Sequence, residues 1–80
     1  MENIQYIINE FCTSVKKEFP NINFTYQYDK ENDTWIIWHN YKNFDDIKFR
    51  KEVGKNIIKY FFDNNLTNTS FAYNSDIDKK

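Results

Sequence analysis

The feature that most constrains this chain is a change of hydrophobic period near residue 20. Before it, Ile4, Ile7, Ile8, Phe11, Val15 and Phe19 recur at three- and four-residue steps, the spacing of an amphipathic helix, with Cys12 at the edge of the stripe. After it, Ile22, Phe24, Tyr26 and Tyr28 alternate with Asn23, Thr25 and Gln27, the spacing of a half-buried strand. Pro20 stands at the junction and ends the helix, because the residue before a proline is driven out of the α region. Glu2 falls in the first turn and Lys16 and Lys17 in the last, where the helix dipole favours each charge.

The rest of the chain continues the alternation of types. Asp29 to Asp33 is a polar turn of hairpin length, and Thr34 to Asn40 is a second strand with β-formers on both faces. Trp35, Ile37 and His39 share one of those faces, Ile36 and Trp38 the other. Asn43 to Asp46 offers N-caps for a second helix that runs to about Phe62 and stops at Asp63-Asn64-Asn65. Thr67 to Asn74 reads as a third strand, with Thr69, Phe71 and Tyr73 on one face, and the tail from Ser75 is polar and reads as frayed. The predicted fold is α+β: a two-layer α/β sandwich of α-β-β-α-β order, its three-stranded sheet covered by both helices on one face. Residues 1–74 form a single domain and 75–80 a C-terminal tail. The doubly apolar second strand belongs in the centre, and either Trp35 or Trp38 faces the uncovered side.

Aromatic content sharpens the question of what such a small domain does. Phe, Tyr and Trp make up 20% of the 80 residues, and a chain this short has trouble burying all of them. Exposed aromatic area is where small proteins grip partners. The net charge of -1 supplies no global basic field for nucleic acid or membrane. The lone Cys12 rules out an internal disulfide and fits a reducing compartment. The N-terminus carries no signal-peptide pattern and no stretch is apolar for the roughly 20 residues that span a bilayer. A cytoplasmic location is therefore expected, and the four Asn-x-Ser/Thr sequons at Asn23, Asn32, Asn65 and Asn68 are read as by-products of an Asn-rich composition. Abundant Asn, Lys, Ile, Tyr and Phe, with Leu66, Arg50 and Ala72 each the only one of its kind, point to an AT-rich bacterial, phage or mobile-element genome.

Chemistry-bearing motifs are sparse. His39 and Cys12 are single and lack a nucleophile–base–orienter arrangement, and there is no phosphate-cradling Gly loop and no His or Cys cluster. Asp29, Glu31 and Asp33 have the alternating oxygens that begin a calcium loop, but Thr34 and Asn40 occupy the positions where that loop needs Gly and a bidentate Glu. The three acids are read as a solvated acidic turn, able to meet a basic partner. No metal, cofactor or catalytic residue is expected.

The second helix is unusual. Lys48, Lys51, Lys55 and Lys59 form one stripe. The apolar arc is wider than one sheet contact needs: Phe49, Val53 and Tyr60 on one flank, Ile47, Gly54 and Ile58 on the other, Ile57 and Phe61 between, and Arg50 inside it. The simpler explanation is a helix wedged between sheet and first helix, with Arg50 snorkelling out at its edge. The functional one is that part of the arc faces a partner or a second copy. The expectation drawn from these features is a small non-enzymatic protein–protein interaction module, an inhibitor or accessory protein of phage or mobile-element type, with Trp35, Trp38, Phe49, Arg50, Tyr60 and Phe62 as partner-binding residues and a homodimer as one form of that contact. The alternative is a nucleic-acid-binding domain that uses the four lysines and strand aromatics.

Overall fold

In the computed structural model, which describes residues 3–78, helix α1 (Ile4–Glu18) starts at Asn3. The Asn3 carboxamide oxygen accepts the Gln5 amide at 2.9 Å and the Tyr6 amide at 3.4 Å, satisfying donors that the first turn leaves without partners. Glu2, expected in the first turn, lies outside the described residues. Ile7, Ile8, Phe11 and Val15 form the buried stripe, and Lys16 and Lys17 sit in the last turn as predicted. The helix ends at Glu18, two residues before Pro20.

Strands β1 (Phe24–Asp29) and β2 (Thr34–His39) pair antiparallel, with Phe24 opposite His39 and Tyr28 opposite Trp35. Ile22, just outside β1, is buried in the core. The connecting turn is closed by Asp29, whose carboxylate accepts the Glu31 amide at 3.1 Å and the Asn32 side chain at 2.8 Å, while Asp33 takes a left-handed φ of 48°.

Helix α2 (Ile47–Asn56) continues through a π turn at Ile57–Phe61 into a 3-10 turn at Phe62–Asn64. Asn56, at the junction, is 1% exposed and donates to the Glu52 carbonyl at 2.8 Å and carboxylate at 2.9 Å. The helix stops where the Asn-rich segment predicts. Asn65 turns left-handed (φ 59°), its amide bonds the Phe62 carbonyl at 3.0 Å and the Leu66 amide the Phe61 carbonyl at 2.8 Å. This is a Schellman closure, with Leu66 buried as its apolar contact. Strand β3 (Thr69–Tyr73) then pairs parallel to β2, Phe71 beside Ile37, giving the order β1-β2-β3 with β2 central as expected. A 3-10 turn at Ser75–Asp78 follows.

Ring contacts place the layers. Phe11 of α1 meets Phe24, Phe61 and Phe71 at 6.5, 4.6 and 5.7 Å between centroids. Phe49 of α2 meets His39 at 5.4 Å and Phe71 at 6.3 Å. By register Phe24, His39 and Phe71 lie on one side of the sheet, so both helices cover that side. This is the predicted two-layer α+β arrangement. The opposite side carries Ile36 and Trp38, with Thr25, Gln27, Ser70 and Ala72 as register neighbours. Trp38 is thus the tryptophan on the uncovered face, whereas Trp35 lies on the helix side, 5.2 Å from the Tyr28 ring and 6.1 Å from that of Tyr26. Among the described residues no helix is long and apolar enough to cross a membrane.

Candidate functional site: the outer flank of α2 and the cavity beneath it

One flank of α2 is core and the other is not. Phe49 and Val53 are buried, as is Phe61 in the π turn, and Tyr60 is half-buried against the same cluster. The flank that carries Ile47, Gly54 and Ile58 faces solvent. Ile47 is 68% exposed, Ile58 57% and Phe62 55%, with Phe44 at 42% just before the helix. The wedged arrangement therefore holds for half of the arc only. The physical reason is position: α2 lies over β2 and β3, β3 is the last strand, and no described element stands beyond it. Gly54 sits in the middle of the exposed flank, and a Cβ there would meet nothing within 4 Å.

Beneath this flank lies a cavity of about 420 Å³. Its sheet side is built by His39 of β2 with Phe71 and Tyr73 of β3, its helix side by Arg50, Gly54 and Ile57, and Phe44 stands at one end. His39 is the polar group inside this aromatic box. It is 3% exposed, stacks on Phe71 and meets Phe44, Phe49 and Tyr73 edge-on or tilted. Burial disfavours the charged imidazolium and pushes its pKa down to about 4, so the ring is neutral at pH 7. Its Nδ1 accepts the Tyr41 amide at 3.1 Å, which assigns the ring proton to Nε2. No protein group among the described residues accepts that proton, and no fully buried polar atom lacks a partner, so Nε2–H keeps solvent contact on the cavity side.

Charge surrounds the cavity unevenly. Arg50 is exposed and unpaired among the described residues; the ion pair they contain is Lys55 to Glu52, at 3.3 Å. Lys48, Lys51, Lys55 and Lys59 are all exposed and none lines the cavity; Lys51 and Lys55 stand one turn from Ile47 and Ile58 respectively, and the Lys59 ammonium stands 5.3 Å from the Tyr60 ring centre.

The residues singled out in the sequence separate in space. Arg50 and Phe49 line the cavity and Phe62 is exposed in the 3-10 turn beyond α2, although Phe49 itself is only 2% exposed and cannot offer free surface. Tyr60 and Trp35 are half-buried against the core. Trp38 lies on the far side of the sheet from the lysine stripe, so those two features do not share one surface. The acidic turn is largely engaged with itself: Asp29 is held by Glu31 and Asn32, and Asp33 accepts the Tyr28 hydroxyl. The Asn32 side-chain bond lowers the Asp29 pKa, and the Asp33 carboxylate raises that of Tyr28. Among the described residues no group of three His, Cys, Asp or Glu is placed to hold a metal. Cys12 is partly buried on α1, and desolvation pushes its thiol up to about 12.

Sequence reasoning missed Phe44, Phe71, Tyr73 and His39 as one site. The alternation of β3 already put Phe71 and Tyr73 on one face; that β3 is an edge strand beside a helix with a glycine on its near side is a tertiary fact. Compared with known proteins, the chain matches no family model, no curated protein and no solved structure.

Proposed function

We propose that this chain is a non-enzymatic protein–protein interaction module, an inhibitor or accessory factor of phage or mobile-element type that acts in the cytoplasm by covering part of another protein. The observation that carries the reading is the set of solvent-facing apolar side chains at Phe44, Ile47, Ile58 and Phe62, on α2 and the segments that flank it. Large apolar side chains gathered on one flank of a small domain mark an interaction surface, because their burial against a partner releases water that a monomer leaves in place. Arg50 beside them supplies a directional polar contact of the kind enriched at interface centres.

The test is affinity capture from the organism that encodes the chain, with wild type and the Ile47→Glu/Ile58→Glu double variant as parallel baits. Both positions are exposed, so the double variant is expected to fold as wild type by circular dichroism. The reading requires a protein retained by wild type and lost by the variant. Identical capture by both baits removes α2 as the binding surface.

A further inference from the structure

The outer edge of β3 has backbone groups without partners, directly beside the cavity. In a parallel pair alternate residues turn their amide and carbonyl to the neighbouring strand. The Asn68 carbonyl accepts the Trp35 amide at 2.9 Å and the Asn74 amide donates to the His39 carbonyl at 2.7 Å. The even-numbered residues of β3 thus face β2, and Thr69, Phe71 and Tyr73 present their N–H and C=O groups outward. None of these three has a backbone partner on that side among the described residues. An edge of this kind is a template for another strand.

We propose, building on the interaction-module reading, that this edge takes an extended peptide segment of the partner as a fourth strand. One large apolar or aromatic side chain of the segment seats in the His39 cavity, and a carboxylate two residues away pairs with Arg50. Each part follows from a separate feature. The outward amides and carbonyls of Thr69, Phe71 and Tyr73 recognise backbone and demand an extended conformation. Side chains of an added strand alternate, so every second one points to the helix side, where the cavity between β3 and α2 has room for one ring against Phe71 and Tyr73. The His39 Nε2–H offers a single donor to an oxygen on that side chain. The carboxylate follows from charge: Arg50 lines the cavity and is unpaired among the described residues. Asp45 and Asp46 at the helix start repel an acid from that end, which places the carboxylate at the Arg50 side. A second copy is a poorer occupant. Its β3, Thr-Ser-Phe-Ala-Tyr, holds no acid, and Phe71 and Tyr73 already pack inward on their own helix side.

The experiment pans a phage-displayed library of random linear peptides against the full chain, then measures one enriched peptide by titration calorimetry and by amide hydrogen exchange. Enriched sequences are expected to share a large apolar or aromatic residue with Asp or Glu two positions away. The peptide should slow exchange at Thr69, Phe71 and Tyr73. A Cβ at Gly54 meets nothing within 4 Å, so Gly54→Leu carries a side chain at the cavity mouth, and Arg50→Glu reverses the charge; each should weaken binding about tenfold or more without lowering the melting temperature. Absence of enrichment, unchanged exchange at the three amides, or full binding by Gly54→Leu overturns strand addition. So does protection of those amides in the peptide-free protein together with twice the 9.9 kDa mass, which assigns the edge to a second copy. If strand addition fails while the Ile47→Glu/Ile58→Glu bait still loses its partner, the module reading stands on the α2 flank alone.

Discussion

The imidazole of His39 lies flat on the ring of Phe71, with centroids 4.6 Å and planes 15° apart. That stack ties the central strand to the edge strand and keeps a titratable group inside an aromatic box. A neutral ring suits the stack, and burial holds the His39 pKa near 4 against an ordinary 6.5. Between those values the unfolded chain binds a proton that the folded chain refuses. Stability should therefore fall as pH drops from about 6.5 toward 4, by up to ~1.4 kcal/mol per pH unit, and be independent of this group above that window. Urea unfolding of wild type and His39→Phe across pH 4 to 8 isolates the contribution from that of the carboxylates. Two curves of the same shape would show that His39 titrates normally.

Gly54 is costly where it stands. Glycine in a helix interior is worth roughly 1 kcal/mol less than alanine, and nothing within 4 Å opposes a methyl group here. Gly54→Ala is expected to raise the melting temperature by about 4–8 °C, as measured by thermal circular dichroism. A lower melting temperature would mean that the flank is already covered by something a methyl group displaces.

The helix stop depends on Asn65. A left-handed conformation costs a residue with Cβ roughly 1 kcal/mol unless its side chain compensates, and glycine pays nothing. Asn65→Ala should destabilise by about that amount and Asn65→Gly should not. Equal effects of the two substitutions on chemical denaturation would remove the closure as the reason Asn stands there.

Nucleic-acid binding makes a sharply different demand. The exposed Lys48, Lys51, Lys55 and Lys59 lie on one side of the sheet and Trp38 on the other, so one strand cannot track the lysines and stack on that ring. Fluorescence anisotropy with a single-stranded pyrimidine oligonucleotide should show no saturable binding at physiological salt. Saturable binding that Lys51→Glu/Lys55→Glu abolishes would replace the interaction module with the nucleic-acid alternative.

Period and punctuation in the sequence determined the elements. The i, i+3, i+4 recurrence from Ile4 to Phe19, the alternation through Tyr28, and the stops at Pro20 and Asn64-Asn65 act through neighbours a few residues away, so a linear reading captures them. The apolar residues on both faces of β2 suggested a central strand; its central place is set by pairing to β1 on one edge and β3 on the other, while Ile36 and Trp38 stay on the face that no helix covers. Which flank of α2 would stay in solvent was not written there. Ile47 and Val53 are equally apolar in sequence, and one is exposed while the other is buried. That choice came from the sheet ending at β3, which left the outer flank of α2 and the backbone of Thr69, Phe71 and Tyr73 without a neighbour. The His39 cavity has the same origin, since it joins residues from β2, β3 and α2 that no local spacing relates.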